Sequence, residues 1–517
     1  MLLSEYSCLC ADESLQNNIN NGAFTLGLFS EVLTAALEYR RAHDLPINET
    51  WVDMAANVNI PRSASGIVKE YRNMPNNVTV KQADVQLLIH PLDSSLLSLR
   101  EQRVSATYYH GKQSPDGPAM TYTIEAVAEN QIALTGVAAF MLELQAQEPY
   151  LRAPFYQMSE QAIDDANANG GVSPAIPFLT GHGGALQIVP FGYLGLKPLA
   201  KYPTFRPALP HPYEHLKVPD FYIRGNRVRA VMNSTHTNLT RLLPAADVVG
   251  VFDVYPNRSM PVTIQRRSLK HVKIEETYFN LNMNETITVK NDMYWQRLTT
   301  PNNILQGQPT SSKDEIHTAQ YPGSATDGNF GTRWQPLTTA PAVLKVDTSM
   351  VPPQKVVQMN FDWGPRVPAS ARVAFTNRTD LTSLDGAERI IDLLVVPNQI
   401  YGAHAGTPEI EVVPYEGNRT TVDTTHFGNE LWSGKFVMLE IQGCPDYGMR
   451  SFLSENGTTI WESDGLGATV GEFEVIGERG TDTVQNLANE SAEERQGTKD
   501  LLEEGDVLTS NPKEDYT

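Results

Sequence analysis

The strongest constraint on the fold is a change in apolar spacing across one proline-rich strip, Lys197-Pro198 through Pro212. Before the strip the spacing is helical. Leu28, Phe29, Val32, Leu33, Ala36 and Leu37 put one apolar face on a helix from Phe24 to Arg41. Asp84 to Ile89, Tyr122 to Ala128 and Leu134 to Leu144 read as further helical pieces, with Pro61, Pro91, Pro115 and Pro149 in the breaks. After the strip the runs are short and alternate: Phe221-Tyr222-Ile223-Arg224, Val228-Arg229-Ala230-Val231, Thr286-Ile287-Thr288-Val289. A period of two makes half-buried strands. Helix after helix suits an (α/α) toroid with its chemistry in the connections, followed by a small β domain.

Asn302 to Lys313 reads as a polar linker. Beyond it, Leu344 to Asp347, Val357 to Trp363 and Trp432 to Ile441 alternate again, predicting a second β domain that ends near Ile476. From Glu478 to Thr517 there are 11 acidic and 4 basic residues, which predicts a disordered, solvating tail.

A formal charge of −20 argues against a nucleic-acid partner and suits a protein acting on a neutral solute. No run of 18 apolar residues predicts a membrane span. Met1-Leu2-Leu3-Ser4-Glu5-Tyr6 does not read as a signal peptide. Yet ten Asn-X-Ser/Thr sites occur, at Asn48, Asn77, Asn233, Asn238, Asn257, Asn284, Asn377, Asn418, Asn456 and Asn489. They point to a glycosylated, exported protein. The two readings agree only if the natural N-terminus lies further upstream. Three cysteines, Cys8, Cys10 and Cys444, are too few for a disulfide framework.

The chemistry centres on Val80-Lys81-Gln82-Ala83-Asp84-Val85, with a glycine loop, Thr180-Gly181-His182-Gly183-Gly184, about a hundred residues later. Lys81 and Gln82 offer donors and an acceptor to hydroxyl groups. Ala83 and Val85 make the flank apolar, so the polar pair enters a cleft from a packed wall. On composition alone a solvated Lys at a helix start fits equally well.

Val80 to Val85 resembles the sugar-binding signature of family 65 glycoside hydrolases, which include fungal acid trehalases and maltose and kojibiose phosphorylases. Asn20-Asn21-Gly22-Ala23-Phe24-Thr25, Ser114-Pro115-Asp116-Gly117-Pro118-Ala119-Met120-Thr121-Tyr122, Pro154-Phe155-Tyr156-Gln157-Met158-Ser159-Glu160-Gln161 and Phe178 to Gly184 resemble the acid trehalase branch. The resemblance implies the C-terminal half of an (α/α)6 barrel over 17–203, then a small β domain over 204–300. It implies inverting hydrolysis of trehalose to two glucoses, without metal or organic cofactor. Inversion needs a general acid and a carboxylate that activates water from the opposite face. Glu13 stands nearest the family's acid, with Ala11 where the family has Pro and a spacing one residue too long. Glu160 is the candidate base. Lys81 and Gln82 would hold the cleaved glucose, with Asp116 and His182 as further substrate contacts and Trp51 or Tyr156 as stacking faces. Asp116 equally suits a turn former, and His182 a locally bonded imidazole. With no basic residue, the glycine loop departs from the phosphate cradle of the phosphorylases and favours water as acceptor.

Ala325-Thr326-Asp327-Gly328-Asn329-Phe330-Gly331-Thr332-Arg333-Trp334 resembles the discoidin, or coagulation-factor type C, signature. That implies a β-sandwich jelly roll over 301–477 with a possible glycan ligand, in which Arg333 and Trp334 pack beneath a loop more often than they bind. Residues 1–16 match nothing, and 478–517 form the tail. Half a toroid leaves apolar helix faces without partners, so the chain reads as incomplete, and by itself it is expected to release no glucose. The alternative is a non-catalytic fragment or carbohydrate-binding remnant. An extracellular, cell-wall or vacuolar location is expected for the full-length protein.

Overall fold

The structure, a computed structural model, describes residues 7–8, 19–76, 78, 80–114, 117–132, 137–167, 171, 173–197, 200–210, 213–245, 253–267, 274–292, 298–395, 412, 418–425, 427, 431–443, 450–453, 459–462 and 465–478. Glu13, Asp116, the tail after residue 478 and the acceptor sites Asn77, Asn456 and Asn489 lie outside the described residues. The chain is multidomain and rich in sheet. It divides into two compact units. One gathers the described residues up to 193 with those from 298 to 477, and the other gathers most of those from 194 to 292.

Among the described residues the first unit opens with seven α-helices: α1 (Ala23–Ala42), α2 (Glu49–Ala56), α3 (Gln86–Ile89), α4 (Leu99–His110), α5 (Met120–Ile132), α6 (Ala138–Gln147) and α7 (Leu179–Gln187). A π-helical turn, Ile188–Tyr193, continues α7. The amphipathic stripe read over Phe24 to Arg41 is α1, whose Leu33 and Leu37 are buried. α5 is the axis of the helical layer. Every residue from Glu125 to Ile132 is buried, and the helix packs against α3, α4, α6, α7 and the π turn. Burial on all sides explains why its sequence shows so little period. α4 was not read from the sequence because its apolar content is low. Its start is written instead in a capping box, in which Ser98 Oγ accepts from Glu101 N and the Glu101 carboxylate accepts from Ser98 N.

The expected glycine loop is a helix. Thr180 to Gly184 lie in the first turns of α7. Gly181 and Gly184 serve close packing rather than a turn, since a Cβ on Gly184 would stand 2.1 Å from Thr123 Oγ1 of α5 and one on Gly181 would stand 3.2 Å from Ala119 Cβ. The outer faces of α1 and α7 carry Leu28, Val32, Leu179 and Leu186 in solvent.

In the same unit, two antiparallel sheets enclose one core. Thr310–Ser311, Ala342–Asp347, Phe436–Gln442, Ser370–Thr376 and Arg389–Leu393 form the first in that order, and Arg419–Asp423, Val356–Asp362 and Glu472–Gly477 the second. Phe361 stacks between Trp363 and Phe473 with ring centroids 4.9 and 5.0 Å away. Trp334 is buried in this core. The expected polar linker belongs to it too. Ile304 and Leu305 are buried there, and Ile304 N donates to Val475 O at 2.9 Å. Asn302 to Lys313 looked like a linker because its polar residues outnumber two consecutive apolar ones.

The second unit holds a four-stranded antiparallel sheet, Thr286–Lys290, His236–Leu242, Asn226–Asn233 and His215–Ile223, and a three-stranded one, Ile274–Leu281, Met260–Arg267 and Thr204–Phe205. The buried guanidinium of Arg241 donates through Nη1 to the carbonyls of Arg258 and Leu281 and through Nη2 to that of Tyr255, while its Nε has no hydrogen-bond partner among the described residues. Among the described residues no helix is long and apolar enough to cross a membrane.

Candidate active site

Three of the sequence blocks meet at the N-terminal end of α5. Val80 N donates to Lys112 O at 2.8 Å, and Ser114 N donates to Val80 O at 2.7 Å, so the segment before Lys81 lies parallel to the one before α5. Gly117 touches Lys81 closely, and a Cβ there would be 2.9 Å from Lys81 O. Two residues on, Ala119 N donates to Glu160 O at 2.8 Å. A continuous run of backbone contacts thus joins the Lys81 segment to the Glu160 segment. Lys81 and Gln82 are half-buried, while Ala83, Asp84 and Val85 are buried beneath them. Asp84 Oδ1 accepts from Phe24 N at 3.4 Å and ties the start of α1 to this wall.

Glu160 is half-buried and held at three atoms. Its N donates to Ala175 O at 3.0 Å, its carbonyl takes Ala119, and its Oε2 accepts from Ala175 N at 3.0 Å. Oε1 accepts nothing from the described residues. The stretch around it is fixed by Arg152, which donates to the carbonyls of Pro149, Gln161 and Ala162 and to the carboxylate of Asp164. Ser159 Oγ adds a bond to Asp164 at 2.7 Å. Neither Arg152 nor Asp164 was singled out from the sequence. Twelve residues separate them, and nothing local signals the pair.

His182 does not present Nε2 to a cleft. That nitrogen accepts from Met158 N at 2.9 Å, which requires the unprotonated Nε2 and pins the strand Gln157–Met158 to α7. Tyr156 is largely exposed, and Trp51 lies half-buried beside Arg40, whose guanidinium is 5.8 Å from its ring centroid. Arg333 donates to Gln320 Oε1 at 3.1 Å. Of the acceptor sites, Asn233, Asn238, Asn257, Asn284 and Asn377 are exposed, and Asn48 caps α2. Asn418 is buried and donates to Gly364 O at 2.8 Å.

Behind the wall lie ionisable groups that no sequence pattern marks as buried. Glu125 of α5 is wholly buried, and its Oε1 accepts from Gln86 Nε2 at 2.9 Å and from Gln113 Nε2 at 3.0 Å. Burial pushes its carboxyl up to about 8, the two amides opposing. His110 Nε2 stands 3.6 Å from Glu125 Oε2, but burial holds the imidazole down at about 4, so the two face each other uncharged rather than as an ion pair. One turn on, both Glu129 carboxyl oxygens are buried and take no hydrogen bond from the described residues, and burial raises this group strongly, helped by Asp327 and Glu125 against Arg103. Asp327, at the turn before Trp334, is raised to about 8 by burial. Glu472 is raised for the same reason and by Asp327. Asn329 Nδ2 donates to His110 Nδ1 at 3.3 Å, so this turn lies directly against α4. Among the described residues no group of His, Cys, Asp and Glu is arranged to hold a metal ion.

No family model matches the chain. Among the curated proteins it resembles are several acid trehalases, four of which align with 69–89% of the chain. It is 32% identical over 473 residues to the acid trehalase of Emericella nidulans, an alignment covering 89% of this chain and 43% of that protein. It is 34% identical over 371 residues to the cell wall acid trehalase of Arthroderma benhamiae, covering 69% and 34%. A mouse protein-glucosylgalactosylhydroxylysine glucosidase matches over 229 residues at 28% identity, covering 44% and 31%. The chain spans less than half the length of these relatives.

Proposed function

We propose that this chain carries the glucose-gripping and water-activating part of an acid-type α,α-trehalase, which hydrolyses trehalose to two glucoses with inversion. The observation that carries this reading is the run of backbone contacts from Val80 and Lys81 through Gly117 and Ala119 to Glu160. It gathers a cation, an amide and a carboxylate at the mouth of one helical layer. Lys81 and Gln82 would bind the hydroxyls of one glucose. Glu160, with Oε2 committed to Ala175 N, would take a proton from water through Oε1 as that water attacks the anomeric carbon. Glu13 remains the proposed acid for the leaving oxygen.

The helical layer reads as part of an (α/α)6 barrel, supported by the solvent-facing apolar side chains of α1 and α7, which suit burial against further helices. The two-sheet module reads as discoidin-like, with a glycan as its ligand. The exposed acceptor asparagines and the cell-wall relative support an exported glycoprotein.

Calorimetric titration with trehalose near pH 5, beside a glucose-release assay, tests the site. The chain is expected to bind trehalose. Lys81→Ala should abolish binding, and Glu160→Gln should keep binding while removing any glucose release. Binding unchanged in Lys81→Ala, or glucose release above background that persists in Glu160→Gln, would overturn the assignment of that residue.

A further inference from the structure

Glu125 takes no part in the reaction set out above, yet it holds the wall that presents the sugar-gripping pair. Gln86 closes the Val80–Gln86 segment onto α5, and Gln113 does the same for the segment paired with Val80. Both amides reach one oxygen of one carboxyl group, and that residue is entirely shielded from solvent. We propose that Glu125 is a positioning residue and a pH-operated lock. It fastens the two segments that frame Lys81 and Gln82 to α5, so that the grip is tight in acid and loosens in alkali. The proposal rests on the reading of Lys81 and Gln82 as the sugar grip.

The surroundings decide the direction. His110 faces Glu125 from α4 at 3.6 Å, uncharged. Glu129 shares its helix, Asp327 follows from the turn against α4, and Glu125 itself bears on the hydroxyls of Tyr122, on α5, and Tyr150, just beyond α6. Two cations border this group, Arg103 acting on Glu129 and Arg333 on Tyr122. An ionised Glu125 would therefore be met by two neutral amides and an uncharged imidazole in a low-dielectric interior, which is costly. The carboxyl accordingly stays protonated to about pH 8, against an ordinary 4.5 once the segments open. Between those values the closed form holds a proton that the open form releases. Opening becomes about tenfold easier for each pH unit in that window.

Hydrogen exchange followed by mass spectrometry on the whole chain reads this directly, with rates corrected for intrinsic exchange at each pH. For peptides covering Val80–Gln86 and Lys112–Ser114, protection should fall at least tenfold from pH 5 to pH 9. Glu125→Gln cannot ionise and should hold protection within about twofold over the same range. Constant protection in the unsubstituted chain, or an equal fall in Glu125→Gln, would overturn the lock. Should the variant fail to fold, the series on the unsubstituted chain still decides. Trehalose titrations form a second arm, in which affinity should weaken from pH 5 to pH 9 in the unsubstituted chain alone. Absence of trehalose binding at pH 5 refutes the sugar-grip reading, whereas the exchange result judges the lock itself.

Discussion

The guanidinium of Arg152 grips Asp164 by both carboxylate oxygens, from Nε at 2.6 Å and from Nη2 at 3.0 Å, and with Nη2 also reaches the carbonyls of Gln161 and Ala162. These bonds straddle Glu160 and stop the polypeptide around it from sliding. The hydrogen bond from Arg152 holds the Asp164 carboxyl below its usual range. Arg152→Leu removes several charge-assisted bonds, each worth roughly 1.5–3 kcal/mol. Because the segment is at the surface, local opening should respond far more than the melting temperature. Limited proteolysis within residues 153–167 is expected to accelerate at least tenfold, with a change in Tm of only a few degrees. Asp164→Asn should have a smaller effect, since the carbonyl contacts of Arg152 survive.

Stability should peak on the acid side. Glu125 and Asp327 titrate near 8 when folded, and Glu129 and Glu472 are raised as well. A carboxyl whose folded value is raised contributes stability that is fully present below its unfolded value, near 4, and is lost as pH rises toward the folded one. His110, depressed to about 4, acts oppositely. Its contribution is present above about 6.5 and fades as pH falls through 4. Four carboxyls outweigh one imidazole between pH 5 and 8, so stability falls over that interval. Differential scanning calorimetry should find Tm highest near pH 4.5–5 and lower by roughly 5 °C or more at pH 8. A maximum at or above pH 7 would contradict the assignment of these groups as buried and protonated.

The parts of this fold that were legible are those where local pattern and burial agree. α1 shows its stripe because one side faces the core and the other faces water. The alternating runs after Leu216 are strands for the same reason. The failures have the opposite cause. Thr180 to Gly184 looked like a turn because glycine is permissive, yet here it lets one helix press on another. Ile304 and Leu305 looked like part of a linker because their long-range partner, Val475, lies 171 residues on from Ile304. Lys81, Gln82 and Glu160 are proposed as site residues on the strength of resemblance, which local pattern alone does not supply. Glu125, Arg152 and Asp164 were missed because each acts through partners at a distance, which periodicity does not record.

One acceptor site should stay unmodified. Asn418 begins Asn-Arg-Thr, but its side chain donates to Gly364 O at 2.8 Å within the two-sheet module, and its carbonyl accepts from Trp363 N at 2.8 Å. A glycan there would take away that amide donor and force the chain off Gly364. Asn233, Asn238, Asn257, Asn284 and Asn377 have solvent-facing side chains. Glycopeptide mapping of folded protein from a secreting fungal host should find glycan on members of the exposed set and none on Asn418. Full occupancy at Asn418 in correctly folded material would mean that its burial is wrong.

Neighbouring glycines in α7 should respond with opposite sign to the same change. A Cβ on Gly184 would meet Thr123 Oγ1 at 2.1 Å and Thr123 Cβ at 2.8 Å. Thr123 is buried, and its hydroxyl already donates to Met120 O at 2.6 Å, so it cannot swing aside without breaking that bond. Gly184→Ala therefore separates α7 from α5 or strains Thr123, at a cost of about 1–3 kcal/mol. A Cβ on Gly183 meets nothing within 4 Å. There the alanine only restricts the unfolded chain and favours the helix, a gain of about 0.5–1 kcal/mol. Urea unfolding should show the midpoint falling for Gly184→Ala and rising for Gly183→Ala. If the segment were a flexible loop, as its composition suggested, the two substitutions would instead behave alike.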